Sequence, residues 1–220
     1  MIKDSEFKIA GLLCSKLCHD LISPVGAINN GLEFLKESNS DEFNDGQQII
    51  ANSAKLAADR LGYYRLAFGR LGNNEVIKFK IIKEHIDKLS NEKRLEIEWI
   101  GIENYIEFEI YERIGKLLMN YMLLISEFVP RGGRSEIILT NSALDPNFSI
   151  KLYSDKLILK DDALKDLENG IEIQNVTVRN IVFFYCLILA NVSNKTPFFE
   201  NRLPTNIVLG IAINCKIFQN

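Results

Sequence analysis

A marked excess of charge of one sign is missing from this 220-residue chain: 26 Lys and Arg stand against 29 Asp and Glu, for a net charge of −3. So even a balance supplies no basic stripe for nucleic acid and no cationic face for an anionic membrane, and neither is expected as a partner. Long apolar runs are missing too. The longest, Ile181 to Ala190, has ten residues, which suits a buried helix and is too short to span a bilayer. The N-terminus, Met1-Ile2-Lys3-Asp4-Ser5-Glu6, has neither the basic nor the apolar region of a secretory signal, and the chain reads as cytoplasmic. Cys14, Cys18, Cys186 and Cys215 make no C-x-x-C pair, which argues against a disulfide framework or a zinc ribbon. Cys14 and Cys18 share a helix face, but with no fourth ligand near them they read as buried small hydrophobes, and no metal site is expected.

What the chain does have is core material, 47% apolar residues, in two patterns. The first is helical. A helix is expected from about Ser5 to Glu37, a polar break at Ser38-Asn39-Ser40-Asp41, and a second helix from about Asp41 to Phe68 with Ile50, Ala54, Ala57, Leu61, Tyr64 and Phe68 at three- and four-residue steps. Joined by so few residues, the two must be antiparallel neighbours. A lone pair buries only one side of each stripe, and Ala51, Ala54, Ala57 and Ala58 permit close approach, so two copies are expected to pair into a homodimeric four-helix bundle.

Gly69-Arg70-Leu71-Gly72-Asn73-Asn74 marks the domain boundary, separating a helical hairpin at 1–72 from an α/β domain at 75–220. In that domain the pattern predicts a helix at Phe79–Glu92, a strand at Leu95–Ile100 and a helix at Tyr111–Phe128. Strands at Glu136–Asn141 and Phe148–Tyr153, helices at Asp161–Glu168 and Thr177–Val192, and a last strand at Ile207–Ile217 follow. The fold class is therefore α+β, a hairpin followed by a sheet covered with helices.

One stretch of the first helix has more in it than packing requires: Leu17-Cys18-His19-Asp20-Leu21-Ile22-Ser23-Pro24. At 100° per residue, Leu13, Leu21, Pro24, Ile28 and Leu35 fall within about 40° of Leu17, with Leu32 at about 60°. His19 lies near 200°, roughly opposite this core-facing stripe. Its neighbours on the outer face are Leu12, Ser15, Ile22, Ser23, Gly26 and Asn30, mostly short side chains over which a partner protein can approach. Gly26, two turns on, clears space for a docking helix. Asp20 is within reach of the imidazole. Pro24 lacks the N–H that would bond the Asp20 carbonyl, which predicts a bent or loosened helix beside the histidine. An exposed imidazole with a carboxylate beside it can attack phosphorus and pass the group on. His19 and Asp20 are thus the candidate catalytic pair, while His85 has no such surroundings and reads as structural or exposed.

His19-Asp20-Leu21 with Pro24 resembles the H-box of histidine-kinase dimerisation domains. The wider run Leu17 to Gly31, with Tyr64-Arg65-Leu66-Ala67-Phe68-Gly69, resembles the ChpT-type histidine phosphotransferases of bacterial cell-cycle phosphorelays. The resemblance implies a dimeric hairpin bearing a phosphoacceptor histidine, followed by a degenerate kinase ATPase-like domain. It also implies partners: the receiver domain of a CckA-type hybrid kinase as donor, CtrA-type and CpdR-type response regulators as acceptors, and Mg²⁺ held by the receiver.

Leu117 to Gly133 looks like the N-box helix and following turn of a kinase domain, with Leu124 where a magnesium-binding Asn would stand and Asn120 one turn earlier. Asp155-Lys156-Leu157-Ile158-Leu159 replaces the expected acid followed by alternating glycines, and Asn175 to Asn180 replaces a glycine-rich stretch. Without those backbone cradles, no ATP and no cofactor of its own are expected. Two other readings stand beside phosphotransfer: an ATP-dependent sensor-type kinase, and a non-catalytic dimeric adaptor that binds receivers.

Overall fold

The computed structural model describes residues 4–37, 43–69, 76–141, 144–155, 157–158, 170–203 and 206–213. Two compact units are present, Met1–Leu66 and Ala67–Asn220. Of the boundary read at 69–74, only Gly69 lies among the described residues, as do none of the residues of the helix read at 161–168.

The first unit holds α1 (Asp4–Glu37) and most of α2 (Phe43–Phe68). Acids stand in the first turn of each and a base in the last, as the helix dipole favours. The helices meet where side chains are smallest. A Cβ on Gly31 would lie 2.7 Å from Ile50 Cγ1, and one on Gly46 would press on Leu35 and Phe34. Gly31, a residue type that ordinarily weakens a helix, is here a close-approach contact. Pro24 and Ala57 are buried, and α1 runs uninterrupted through the proline. Leu32, read as core-facing, is 46% exposed within the single chain, and Val25 and Leu61 are similarly bare.

The second unit is built on a five-stranded sheet in the order β2-β4-β5-β7-β6, from β2 (Leu95–Ile100), β4 (Gly133–Thr140), β5 (Asn147–Tyr153), β6 (Lys195–Leu203) and β7 (Asn206–Ile213). β2 runs parallel to β4 and the other pairs are antiparallel. Period-two alternation buries Ser135, Ile137 and Leu139 on β4 and Phe148, Ile150 and Leu152 on β5, leaving Arg134 and Thr140 exposed. The buried face is covered by α3 (Phe79–Lys93), α4 (Glu112–Phe128) and α5 (Ile181–Val192). Phe79 of α3 meets Trp99 of β2 edge-on at 5.8 Å, and Tyr121 of α4 meets Phe148 of β5 at 5.5 Å. A separate antiparallel ribbon pairs β1 (Val76–Lys78) with β3 (Glu109–Tyr111).

The α+β class and most elements match the sequence reading. The ribbon and β6 were not foreseen. Pro197 argues against a strand interior, but β6 is the edge of the sheet, where a missing N–H removes no ladder bond. α5 starts at Ile181 rather than Thr177, because Thr177 N–H donates to Asn180 Oδ1 at 2.8 Å and holds 177–180 in a turn.

The turn after α4 depends on one glycine. Gly132 has φ +91°, and a Cβ there would collide with the carbonyl of Arg94, whose oxygen accepts from Gly133 N–H at 3.2 Å. Gly132→Ala combines left-handed strain with a backbone clash and is expected to cost about 2–3 kcal/mol. A thermal melt should show a fall of roughly 5–10 °C for a unit of this size.

Candidate functional site

The candidate site sits on α1, midway along the hairpin. His19 is 79% exposed, and its Nδ1 lies 3.0 Å from Asp20 Oδ1. Asp20 itself is largely covered. Tyr64 of α2 donates its hydroxyl to Asp20 Oδ2 at 2.5 Å, and Lys16, one turn back on α1, brings Nζ to 3.2 Å from the same oxygen. Burial pushes the Asp20 carboxyl up, but the hydrogen bonds from Tyr64 and His19 together with the Lys16 charge outweigh it and hold the group below the ordinary aspartate value. At neutral pH the group is therefore a carboxylate, which has acceptors only. The 3.0 Å contact then requires a proton on His19 Nδ1. In the neutral ring, Nε2 then carries the lone pair.

The loss of the Pro24 N–H has a visible consequence. The Asp20 carbonyl, which a residue with an N–H at position 24 would have bonded, accepts instead from the guanidinium of Arg60 on α2. Both faces of Asp20, side chain and backbone, are thus held from the neighbouring helix.

Of the other residues singled out in the sequence, Ile22 is 73% exposed, and Ser15, Ser23 and Asn30 are exposed. Gly26 and Leu12 are half-buried, and nothing stands within 4 Å of where a Cβ on Gly26 would be. The Ser15 hydroxyl donates back to the Gly11 carbonyl at 2.9 Å. His19, Ser15, Ile22 and Ser23 therefore share one open surface, with Leu12 at its edge.

Lys16, Arg60 and Tyr64 were not read as site residues. A usable signal was present. A hairpin turning near residue 40 pairs positions whose numbers sum to about 80, as Gly31 with Ile50 confirms, and that rule sets Arg60 opposite Asp20 with Tyr64 one turn on.

No group of His, Cys, Asp or Glu among the described residues could hold a metal. Cys14 and Cys18, read from the sequence as buried, are exposed on the single chain, and burial pushes the Cys186 thiol far up, so it is inert. In α4, Leu124 is buried, and Asn120 spends its amide on the carbonyls of Ala67 at 3.0 Å and Lys116 at 2.8 Å. Lys116 is buried against Glu112 at 2.7 Å and donates to Gly69 O at 2.7 Å. Asn120 and Lys116 are thus engaged with Ala67 and Gly69, at the C-terminal end of α2.

Comparison with known proteins bears on what this site is. A profile described as the histidine phosphotransferase C-terminal domain matches residues 79–200. The chain belongs to the histidine phosphotransferase family. It is 33% identical over 187 residues to protein phosphotransferase ChpT of Brucella abortus (strain 2308), covering 84% of this chain and 87% of that one. A solved structure of a bacterial phosphotransferase superposes with a TM-score of 0.81 at 29% identity, over 96% of this phosphotransferase and 98% of that chain. The family membership supports phosphotransfer in two-component signalling. No helix among the described residues is long and apolar enough to cross a membrane.

The depressed Asp20 carboxyl sets a pH dependence for the phosphotransferase. A folded-state value below the unfolded one contributes stability that is present above the unfolded value and lost as pH falls through the folded one. Asp20→Asn removes that contribution. Its stability deficit in urea titrations should be widest at neutral pH and narrow below about pH 4.

Proposed function

We propose that the chain relays a phosphoryl group between receiver-domain aspartates through phospho-His19. The observation that carries this reading is the pairing of His19 Nδ1 with the Asp20 carboxylate at 3.0 Å on a ring otherwise open to solvent. Nε2 attacks the phosphorus of a receiver phosphoaspartate. The Nε2–P bond forms, the P–O bond to the aspartate breaks, and the aspartate leaves as a carboxylate with the electron pair. No proton has to move. The ring becomes a phosphoimidazolium still bearing its Nδ1 proton, and Asp20 stabilises that positive charge. Transfer to a second receiver is the reverse step on a new aspartate. Asp20 orients and stabilises rather than acting as a base.

Ser15, Ile22, Ser23, Gly26, Asn30 and Leu12 form the surface on which the receiver rests in this reading. By resemblance, the donor is the receiver of a CckA-type hybrid kinase and the acceptors are CtrA-type and CpdR-type regulators, with Mg²⁺ held by the receiver and the relay running in the cytoplasm.

The working form is a homodimer. Phe7, Cys14, Cys18, Val25 and Leu32 on α1 stand exposed at steps of seven and four, and Gln47, Ala51, Ala54, Ala58 and Leu61 on α2 stand exposed at alternating steps of four and three. Apolar seams of that spacing are built to meet another pair of helices.

The chain has no nucleotide chemistry of its own in this reading, given the engagement of Asn120 and Lys116 in packing and Leu124 in the core. Incubation with radiolabelled ATP alone should leave the protein unlabelled, whereas a labelled phospho-receiver should produce an acid-labile phosphohistidine. Label from ATP alone would establish a sensor-type kinase, and receiver binding without any phosphohistidine would establish an adaptor.

A further inference from the structure

We propose that Tyr64 and Arg60 are positioning residues for phosphoryl transfer, holding Asp20 from the neighbouring helix and thereby fixing which nitrogen of His19 is free to attack. This inference rests on the reading of His19 as the acceptor.

An imidazole that is 79% exposed has little packing to orient it. What sets its tautomer is the carboxylate at Nδ1, and that carboxylate is useful only while one oxygen faces the ring. The other oxygen is taken by the hydroxyl of Tyr64, which is itself 6% exposed and meets the ring of Tyr63 edge-on at 6.3 Å. Tyr64 is therefore a fixed post to which Asp20 is tied. Lys16 Nζ approaches the same oxygen from α1, and Arg60 reaches the backbone carbonyl from α2.

Arg60 does a second task. Pro24 leaves the Asp20 carbonyl without its helical donor just where the backbone must hold the His19-Asp20 pair in register. The guanidinium supplies that donor from α2. A proline within a helix is ordinarily a source of looseness, and here its freed acceptor becomes the point by which α2 grips α1. Side chain and backbone of one residue are tied to two residues one turn apart on α2, a spacing that presents both on the same face.

A chain with ¹⁵N-labelled histidine tests this. In the unsubstituted protein the His19 ring should show the Nδ1–H tautomer by NMR. Tyr64→Phe keeps the ring and loses the hydroxyl, so it should lower the melting temperature by only a few degrees, leave receiver affinity close to unchanged, mix the two tautomers, and slow transfer from a phospho-receiver roughly tenfold, the scale of one charge-assisted hydrogen bond. Arg60→Met should slow transfer likewise and Arg60→Lys should restore most of it. An unchanged tautomer and an unchanged rate in Tyr64→Phe overturn the inference, as does a rate that falls only in step with lost stability. Should the phosphate be found on a residue other than His19, the functional reading fails first and takes this inference with it. Phosphate on His19 with no response to Tyr64→Phe removes the inference alone.

Discussion

His19→Ala should abolish relay. With phosphorylated receiver, the variant is expected to accept no detectable label and to pass none to an acceptor regulator, a loss of at least about 10³-fold given that the nucleophile itself is gone. Folding should be untouched, since the side chain stands in solvent and its polar contact among the described residues is with a carboxylate that Lys16 and Tyr64 also hold. Equal melting temperatures for variant and parent, with transfer lost, would separate chemistry from structure. Transfer surviving in the variant would mean that another residue carries the phosphate.

The second large effect concerns assembly. Leu32 and Leu61 lie on the bare sides of α1 and α2, 46% and 50% exposed in the single chain. If those sides meet a second copy, the double substitution Leu32→Glu, Leu61→Glu places four carboxylates in the apolar seam of the dimer. Each such burial costs several kcal/mol. Analytical ultracentrifugation should then find a species of 25.1 kDa in place of one of twice that mass, with the dissociation constant raised by about 10³-fold or more. In a chain that works as a monomer, the same two residues face water and the substitutions would leave its sedimentation unchanged.

Much of this was legible in the amino acids. The helix bounds of the hairpin, the strand at Leu95–Ile100 and the helix ending at Phe128 follow from periodicity, and the outward angle of His19 from helix geometry alone. Edge and cross-helix effects were hidden. β6 carries a proline that only its place at the sheet edge makes tolerable, and that place is a fact of tertiary pairing. The fixing of Asp20 depends on Arg60 and Tyr64, some forty residues away, whose relevance shows only when the register of α1 on α2 is known. Pro24 was read as a loosening element because its missing N–H is visible in sequence and the guanidinium that replaces it is not. The two glycines at the α1–α2 contact teach the same lesson: Gly31 and Gly46 look like helix breakers until the neighbouring Ile50 and Leu35 are seen pressing on them.

The most direct measurement is the place of the phosphate itself. Chain charged by a phospho-receiver, with no ATP present, should show by ³¹P and ¹⁵N NMR one phosphoramidate, on Nε2 of His19, with the Nδ1 proton retained opposite Asp20. Phosphate on Nδ1, on any other residue, or appearing only when ATP is supplied would contradict the relay built on that ring nitrogen.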